Sequence, residues 1–276
     1  MMQLNRRRFL AATAAAAAAP VLPLSALPGD SGAIKLAVAT YSLRNFKRPE
    51  AIKMIQQLQV KFADVKEFHL ALTDSPEQLK QGAKEFHDAG IKIIAGGNIT
   101  LRTPEEMTRG FEYAKACGMP TIVCAPTQDV LPAIEKLAKE YKIKIAIHNH
   151  GPEDKYFQTP HSVYEAVKNM DPLMGLCIDI GHTSRTGADI VESIVEAGPR
   201  LHEVHMKDLK DKMDKASQCA VGEGVLPIPA IFKQLAKQKY KGYCSLEYEI
   251  NVKDPLPGMQ KSFDYMRKLI VDLKLG

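Results

Sequence analysis

Four short runs of this sequence end in side chains that bind cations or move protons. They are Ile145-Ala146-Ile147-His148-Asn149-His150, Cys177-Ile178-Asp179-Ile180-Gly181-His182, Val204-His205-Met206-Lys207-Asp208 and Ser245-Leu246-Glu247-Tyr248-Glu249. In each run the large apolar residues hold one parity: Ile145 and Ile147, Ile178 and Ile180, Val204 and Met206, Leu246 and Tyr248. Alternate side chains of a strand point to opposite faces. If the apolar parity packs outward, the other parity brings His148, Asp179, His205 and Glu247 together. Two imidazoles and two carboxylates meeting in a buried place put like charges side by side, which costs on the order of several kcal/mol unless something neutralises them. A divalent cation does so. Mixed nitrogen and oxygen donors suit Mn, Co, Zn, Fe or Ni better than Ca or Mg, which prefer oxygen shells. The sequence therefore predicts one divalent transition metal, with His148, Asp179, His205 and Glu247 as its ligands.

Catalytic candidates follow from the same runs. Glu247 and His150 are placed to take a proton, and Lys207 shares the ligand parity, where an ammonium would stabilise an enolate oxygen. Five further polar residues are candidates for binding substrate: His182 and Arg185 just past the sixth strand, Lys66 and His69 around the end of the second, and Tyr41 at the end of the first. His87, His161 and His202 are read as structural.

Positioning these residues requires a regular scaffold, and the rest of the chain supplies its pattern. Apolar, β-branched runs recur at Lys35–Tyr41, Phe62–Phe68, Ile91–Gly96, Thr121–Ala125, Ile143–Asn149, Gly175–Ile180, Leu201–Met206 and Tyr243–Glu249, with helical spacing between them. Ser75-Pro76, Thr103-Pro104 and Thr159-Pro160 place a capping hydroxyl before a proline suited to a first helical turn, and Gly90 and Gly118 supply stops. Eight strand–helix units on this length predict an α/β fold, a single (β/α)8 TIM barrel, for which ~250 residues is usual. An open α/β sheet is the rival, but no Gly-x-Gly-x-x-Gly follows the first strand. Two long loops, 150–158 and 207–226, follow strand C-termini, the face on which barrel enzymes build their sites.

The sixth, seventh and eighth strand ends, with Gly222-Glu223-Gly224 between the last two, resemble the xylose-isomerase-like barrels of the sugar phosphate isomerase/epimerase type. The resemblance covers residues 34–276. It implies metal ligands after the fifth to eighth strands in the order Glu, Asp, His, Glu; Asp179, His205 and Glu247 match the last three. At the fifth strand the family's Glu-Asn-His is replaced by His148-Asn149-His150, so His148 stands where a glutamate is expected. Epimerases of the family use both glutamates as an acid/base pair, and the loss of one counts against simple two-base epimerisation. A histidine-rich end here is similar to the inosose dehydratase branch, which removes water beside a ketone. The implied function is a metal-dependent sugar isomerase or epimerase that abstracts a proton next to a sugar or polyol carbonyl. The alternative is a dehydratase, lyase or hydratase on a keto-sugar or inosose. An abasic-site endonuclease shares the fold but needs three metals and a basic groove, and a non-catalytic sugar-binding barrel would not need three intact ligands.

Composition agrees with a small-molecule enzyme. Apolar residues are 45% and charged residues 25% of the 276 residues, which excludes disordered and collagen-like chains. The N-terminus, Asn5-Arg6-Arg7-Arg8-Phe9-Leu10 followed by an alanine-rich run, resembles a twin-arginine leader. Residues 1–30 are accordingly expected to be a signal peptide with a short linker and 31–276 the barrel, exported to the periplasm. The three arginines account for part of the net charge of +5, and the remaining +2 argues against nucleic acid or, after signal removal, membrane as a partner. The expected partner is a small sugar or polyol, and self-association as a homo-oligomer is compatible with the sequence. Five cysteines without a Cys-x-x-Cys pair predict no disulfide framework.

Overall fold

The structure, a computed structural model, describes residues 34–275; the expected leader and linker over 1–30 lie outside the described residues. Seven strands come first: β1 (Lys35–Ala39), β2 (Phe62–Val65), β3 (Lys92–Leu101), β4 (Thr121–Pro126), β5 (Lys144–His148), β6 (Met174–Asp179) and β7 (Leu201–Met206). A small antiparallel hairpin, β8 (Asp208–Leu209) with β9 (Gln218–Cys219), precedes the last strand, β10 (Tyr243–Leu246). Strands β1 to β7 and β10 form a closed parallel barrel in the order β1-β10-β7-β6-β5-β4-β3-β2. The closed barrel expected from the alternation is therefore present, and the open sheet is not.

The helices around it are α1 (Arg48–Gln57), α2 (Pro76–Asp88), α3 (Pro104–Cys117), α4 (Leu131–Tyr141), α5 (Pro160–Val167), α6 (Ile180–Arg185), α7 (Ile190–Ala197), α8 (Ile228–Lys237) and α9 (Leu256–Asp272). The Ser75, Thr103 and Thr159 hydroxyls accept from the third backbone N–H of α2, α3 and α5, and a proline opens each helix. Gly90 and Gly118 have φ of 77° and 67°, the left-handed turn that stops a helix cheaply only at glycine. The six-residue α6 was not expected; it has no room for a helical repeat. The sixth strand stops at Asp179 and not Ile180 because Asp179 caps α6, accepting from His182 N at 2.8 Å.

Alternation sorts the barrel as read. Ile145, Ile147, Ile178, Ile180, Val204, Met206, Leu246 and Tyr248 belong to the large core between strands and helices. Inside the barrel, Ala37, Ile94, Ala95, Val123, Ala146 and Cys177 form a separate apolar plug. All five cysteines are free and buried.

His202 sits in this scaffold with its Nδ1 3.0 Å from the Ile145 carbonyl oxygen, and burial, then Lys144, lowers it to about 4. An unfolded histidine titrates near ~6.5, so between those values the unfolded chain binds the extra proton and stability rises with pH. The contribution is present above pH ~6.5 and is lost as pH falls towards 4. We expect urea unfolding at pH 7 and pH 5 to show an acid-side loss for the wild type that shrinks by roughly 1–3 kcal/mol in His202→Asn. An unchanged pH dependence would contradict this.

Candidate metal centre and active-site cavity

Strand register assembles the centre. Asp179 on β6 is level with His205 on β7, and Ser245 on β10 is level with the same His205. Two residues beyond Ser245, Glu247 extends β10 and donates its backbone N–H to the Met206 carbonyl at 3.0 Å. His148 ends β5, paired with Cys177, one inward position below Asp179.

One donor atom from each of His148, Asp179, His205 and Glu247 lies within 4.8 Å of all the others. His148 Nε2 is 3.1 Å from His205 Nδ1 and 3.6 Å from Asp179 Oδ2, and His205 Nδ1 is 3.5 Å from Glu247 Oε2. Donors sharing one tetrahedral centre at ~2.1 Å stand ~3.4 Å apart, so these separations fit a single cation. Lys207 Nζ also reaches the cluster, 3.1 Å from Asp179 Oδ2 and 2.9 Å from Glu247 Oε2, and it contacts Glu249. With His205 neutral, as a metal ligand must be, one ammonium against three carboxylates leaves two negative charges, which a divalent ion balances. The donor set, its spacing and its charge therefore all fit a divalent transition metal.

The electrostatics follow from burial and this charge. Burial lowers His148 and His182 to about 4, and lowers His150 as well. Burial alone would raise Asp179 and Glu247; Lys207, followed by His182 for Asp179 and His205 for Glu247, outweighs it and holds both well below the carboxylate range. For Lys207 burial works against the charge, yet Asp179, Glu247 and Glu249 raise it well above the usual lysine value. Beneath the centre, burial and then Asp64 raise Glu203 to about 8.

The cluster lies at the base of a cavity of about 530 Å³ that Tyr41, Lys66, His150 and His182 help to line. Tyr41 belongs to a 3-10 turn over Thr40–Leu43 beyond β1, and Lys66 pairs with Glu67 at 2.7 Å while donating to the Asn98 carbonyl. His150 is held by Asn98 Nδ2 at 2.7 Å, and Asp154 Oδ2 stands 3.4 Å from its other nitrogen. Arg185 is paired nearby, with Nη1 2.6 Å from Glu153 and Nη2 also on that carboxylate, while its Nε has no hydrogen-bond partner among the described residues. His69 is not brought to the cavity: its nitrogens are 3.1 Å from Thr40 Oγ1 and 3.2 Å from the Leu43 carbonyl, so it pins the turn after β1. A larger cavity, about 850 Å³, opens between the β8–β9 hairpin and the start of α9, away from the clustered imidazoles.

Several participants went unremarked in the sequence. Glu249 shares the parity of Glu247 and could have been read from it. Asn98 could not, because β3 runs on to Leu101 through a register irregularity after Gly96. Asn149 stitches the strand ends together, its Oδ1 accepting from Asp179 N at 3.0 Å and its Nδ2 donating to Thr183 Oγ1 at 3.1 Å. Asp64, an acid inside a strand, lies 3.2 Å from His205 Nε2 with both side chains 1% exposed. That contact fixes which nitrogen of His205 faces the centre. Outer partners of ligating histidines are worth ~10–100-fold in metal affinity. Asp64→Ala should weaken metal binding by that factor in a chelator competition, and Asp64→Asn by less; equal affinity in all three proteins would contradict the assignment.

The profile of the xylose isomerase-like TIM barrel family matches residues 55–269, and the chain belongs to that family. It is 25% identical over 158 residues to the inosose dehydratase of Salmonella agona, a match covering 51% of this chain and 52% of that protein. The chain thus matches about half the length of such relatives. Among solved structures, an uncharacterised protein from Parabacteroides distasonis is 31% identical, with 86% of this chain and 99% of that one superposed at a TM-score of 0.68. A zinc-bound IolI protein shares the fold at 20% identity, covering 88% and 99% of the two chains with a TM-score of 0.71.

Proposed function

We propose that this protein is a divalent-metal-dependent isomerase or epimerase that abstracts a proton beside the carbonyl of a sugar or polyol. The observation that carries the reading is the convergence of four donor atoms from His148, Asp179, His205 and Glu247 at the base of a cavity large enough for such a molecule. A cation bound there would polarise substrate oxygens and make the neighbouring C–H acidic. The chain's own groups do the rest. Glu247, kept ionised by Lys207 and His205, is a carboxylate base already at neutral pH. His150 is neutral there and held by Asn98, so it can accept or return a proton from a fixed position. Lys207 offers its charge to oxygen that becomes negative when the proton leaves. Tyr41, Lys66 and His182 stand around the cavity where hydroxyl groups would lie. Export through a twin-arginine leader belongs to the same proposal and would bring free sugars to the site.

Dehydration is the second reading. It is favoured by His148 in place of a carboxylate, which leaves one carboxylate and one neutral imidazole to move protons, and by the inosose dehydratase relatives. The deciding experiment incubates the metal-loaded protein in deuterium oxide with ketoses, inososes and 3-keto-sugars. Deuterium gained at the carbon beside the carbonyl, with the molecular formula otherwise kept, supports isomerisation or epimerisation; loss of water supports the second reading. No exchange and no loss of water with any of them would contradict both.

A further inference from the structure

A second compartment adjoins the cavity, and Lys207 stands in its wall as well as beside the metal centre. Its volume is about 420 Å³, against about 530 Å³ for the cavity over the metal centre. His182, Lys215 and Glu249 line both, so the two spaces meet across those three side chains. Their walls differ in balance. The first is lined mainly by polar and charged side chains, whereas in the second Leu209, Ala216 and Ile250 supply an apolar face beside the polar Lys207, Lys215, Gln218 and Glu249. Leu209 belongs to β8, and Ala216 to the 3-10 turn Lys215–Ser217 that β8 and β9 hold over the opening. The turn is kept there by Ser217, whose Oγ lies 2.8 and 2.7 Å from the Asp211 and Asp214 carbonyl oxygens and accepts the Asp211 backbone N–H.

The contrast defines what would sit in each space. Ligand sites of ~300–1,000 Å³ enclose drug-sized molecules, so the joined spaces exceed what one monosaccharide fills. Hydroxyl groups placed against Leu209, Ala216 and Ile250 would lose water without gaining partners, while an apolar group there gains from burial. One buried donor remains at this wall: Arg185 Nε has no hydrogen-bond partner among the described residues, although Glu153 occupies the other two guanidinium nitrogens. A linking oxygen is the acceptor such a donor suits. We infer that the substrate is a sugar or polyol bearing an O-linked apolar substituent, an alkyl or aryl group. The carbonyl-bearing portion lies over His148, Asp179, His205 and Glu247, and the substituent lies in the compartment under the β8–β9 turn. This rests on the sugar reading of the metal centre and adds the class of substrate to it.

The test uses the full-length, metal-loaded protein and the same ketoses, inososes and 3-keto-sugars, each free, as an O-methyl ether and as an O-benzyl ether at a hydroxyl remote from the carbonyl. Affinities are read by calorimetry. For at least one parent compound the benzyl ether should bind at least about tenfold more tightly than the methyl ether, the gain expected from burying one ring. The benzyl-to-methyl ratio should fall towards unity in Ala216→Trp, which fills the space from an exposed turn, and in Ile250→Asp, which puts a charge into its wall. A ratio near unity in the wild type, or a high ratio that survives both substitutions, overturns the inference while free sugars still bind. If no compound binds, free or substituted, the sugar reading itself fails and takes the inference with it.

Discussion

Asp179→Asn should abolish turnover and leave the barrel folded. The two carboxylate oxygens of Asp179 do different work. Oδ1 accepts the His182 backbone N–H and caps α6, whereas Oδ2 faces His148 and Lys207. Asparagine keeps an acceptor for the cap but sets a neutral amide against Lys207 Nζ and removes one of the negative charges that favour a cation. Metal affinity should drop beyond the ~100-fold typical of outer partners, and activity should drop with it. Thermal stability should change little, because the apolar plug inside the barrel and the core outside it are untouched. Asp179→Ala should lose the cap as well, about 1 kcal/mol more. Circular dichroism melts beside metal content and turnover would check this. Unchanged activity in Asp179→Asn would refute the assignment, and a collapse of the fold would make the residue structural.

Asp208→Ala should produce the largest loss of stability. This buried carboxylate accepts four backbone N–H groups, from Leu209 at 2.9 Å, Gly222 at 2.9 Å, Gly224 at 3.1 Å and Leu226 at 3.1 Å. It thereby folds the whole segment between β7 and α8. Both glycines answer to it: Gly222 has φ of 97°, and a Cβ on Gly224 would stand 2.1 Å from Asp208 Oδ1. Each buried donor left unpaired costs ~1–3 kcal/mol, partly relieved where water enters. The expected loss is roughly 3–5 kcal/mol, on the order of 10 °C in melting temperature for a domain of this size. Asparagine should not rescue it fully, since its amide would face N–H groups that need an acceptor. Denaturant titration and proteolysis across residues 210–217 would measure the effect, and a loss below ~1 kcal/mol would show that the segment holds itself.

How the sequence encodes these features explains what could be read from it. Period-two alternation is robust where one parity is uniformly large and apolar, and this brought His148, Asp179, His205 and Glu247 to one face. The barrel was legible for the same reason, because its strands alternate with capped helices. Residues beyond strand ends were harder. His69 has the type and position of a cavity residue, yet its direction is set by the 3-10 turn after β1, which leaves no periodic trace. Asn98 depends on a register irregularity in a glycine-containing strand. Asp208 stood beside Lys207 in plain view, but its role needs four N–H groups as many as 18 residues away, and only the folded segment brings them together.

The central claim is that one cation is shared by His148, Asp179, His205 and Glu247. Elemental analysis of chelator-free protein, as wild type, His148→Ala and His150→Ala, tests it most directly. The structure predicts one transition-metal ion per chain in the wild type, retention in His150→Ala and marked loss in His148→Ala. Metal far below one ion per chain in the wild type after loading, or metal retained in His148→Ala and lost in His150→Ala, would contradict it.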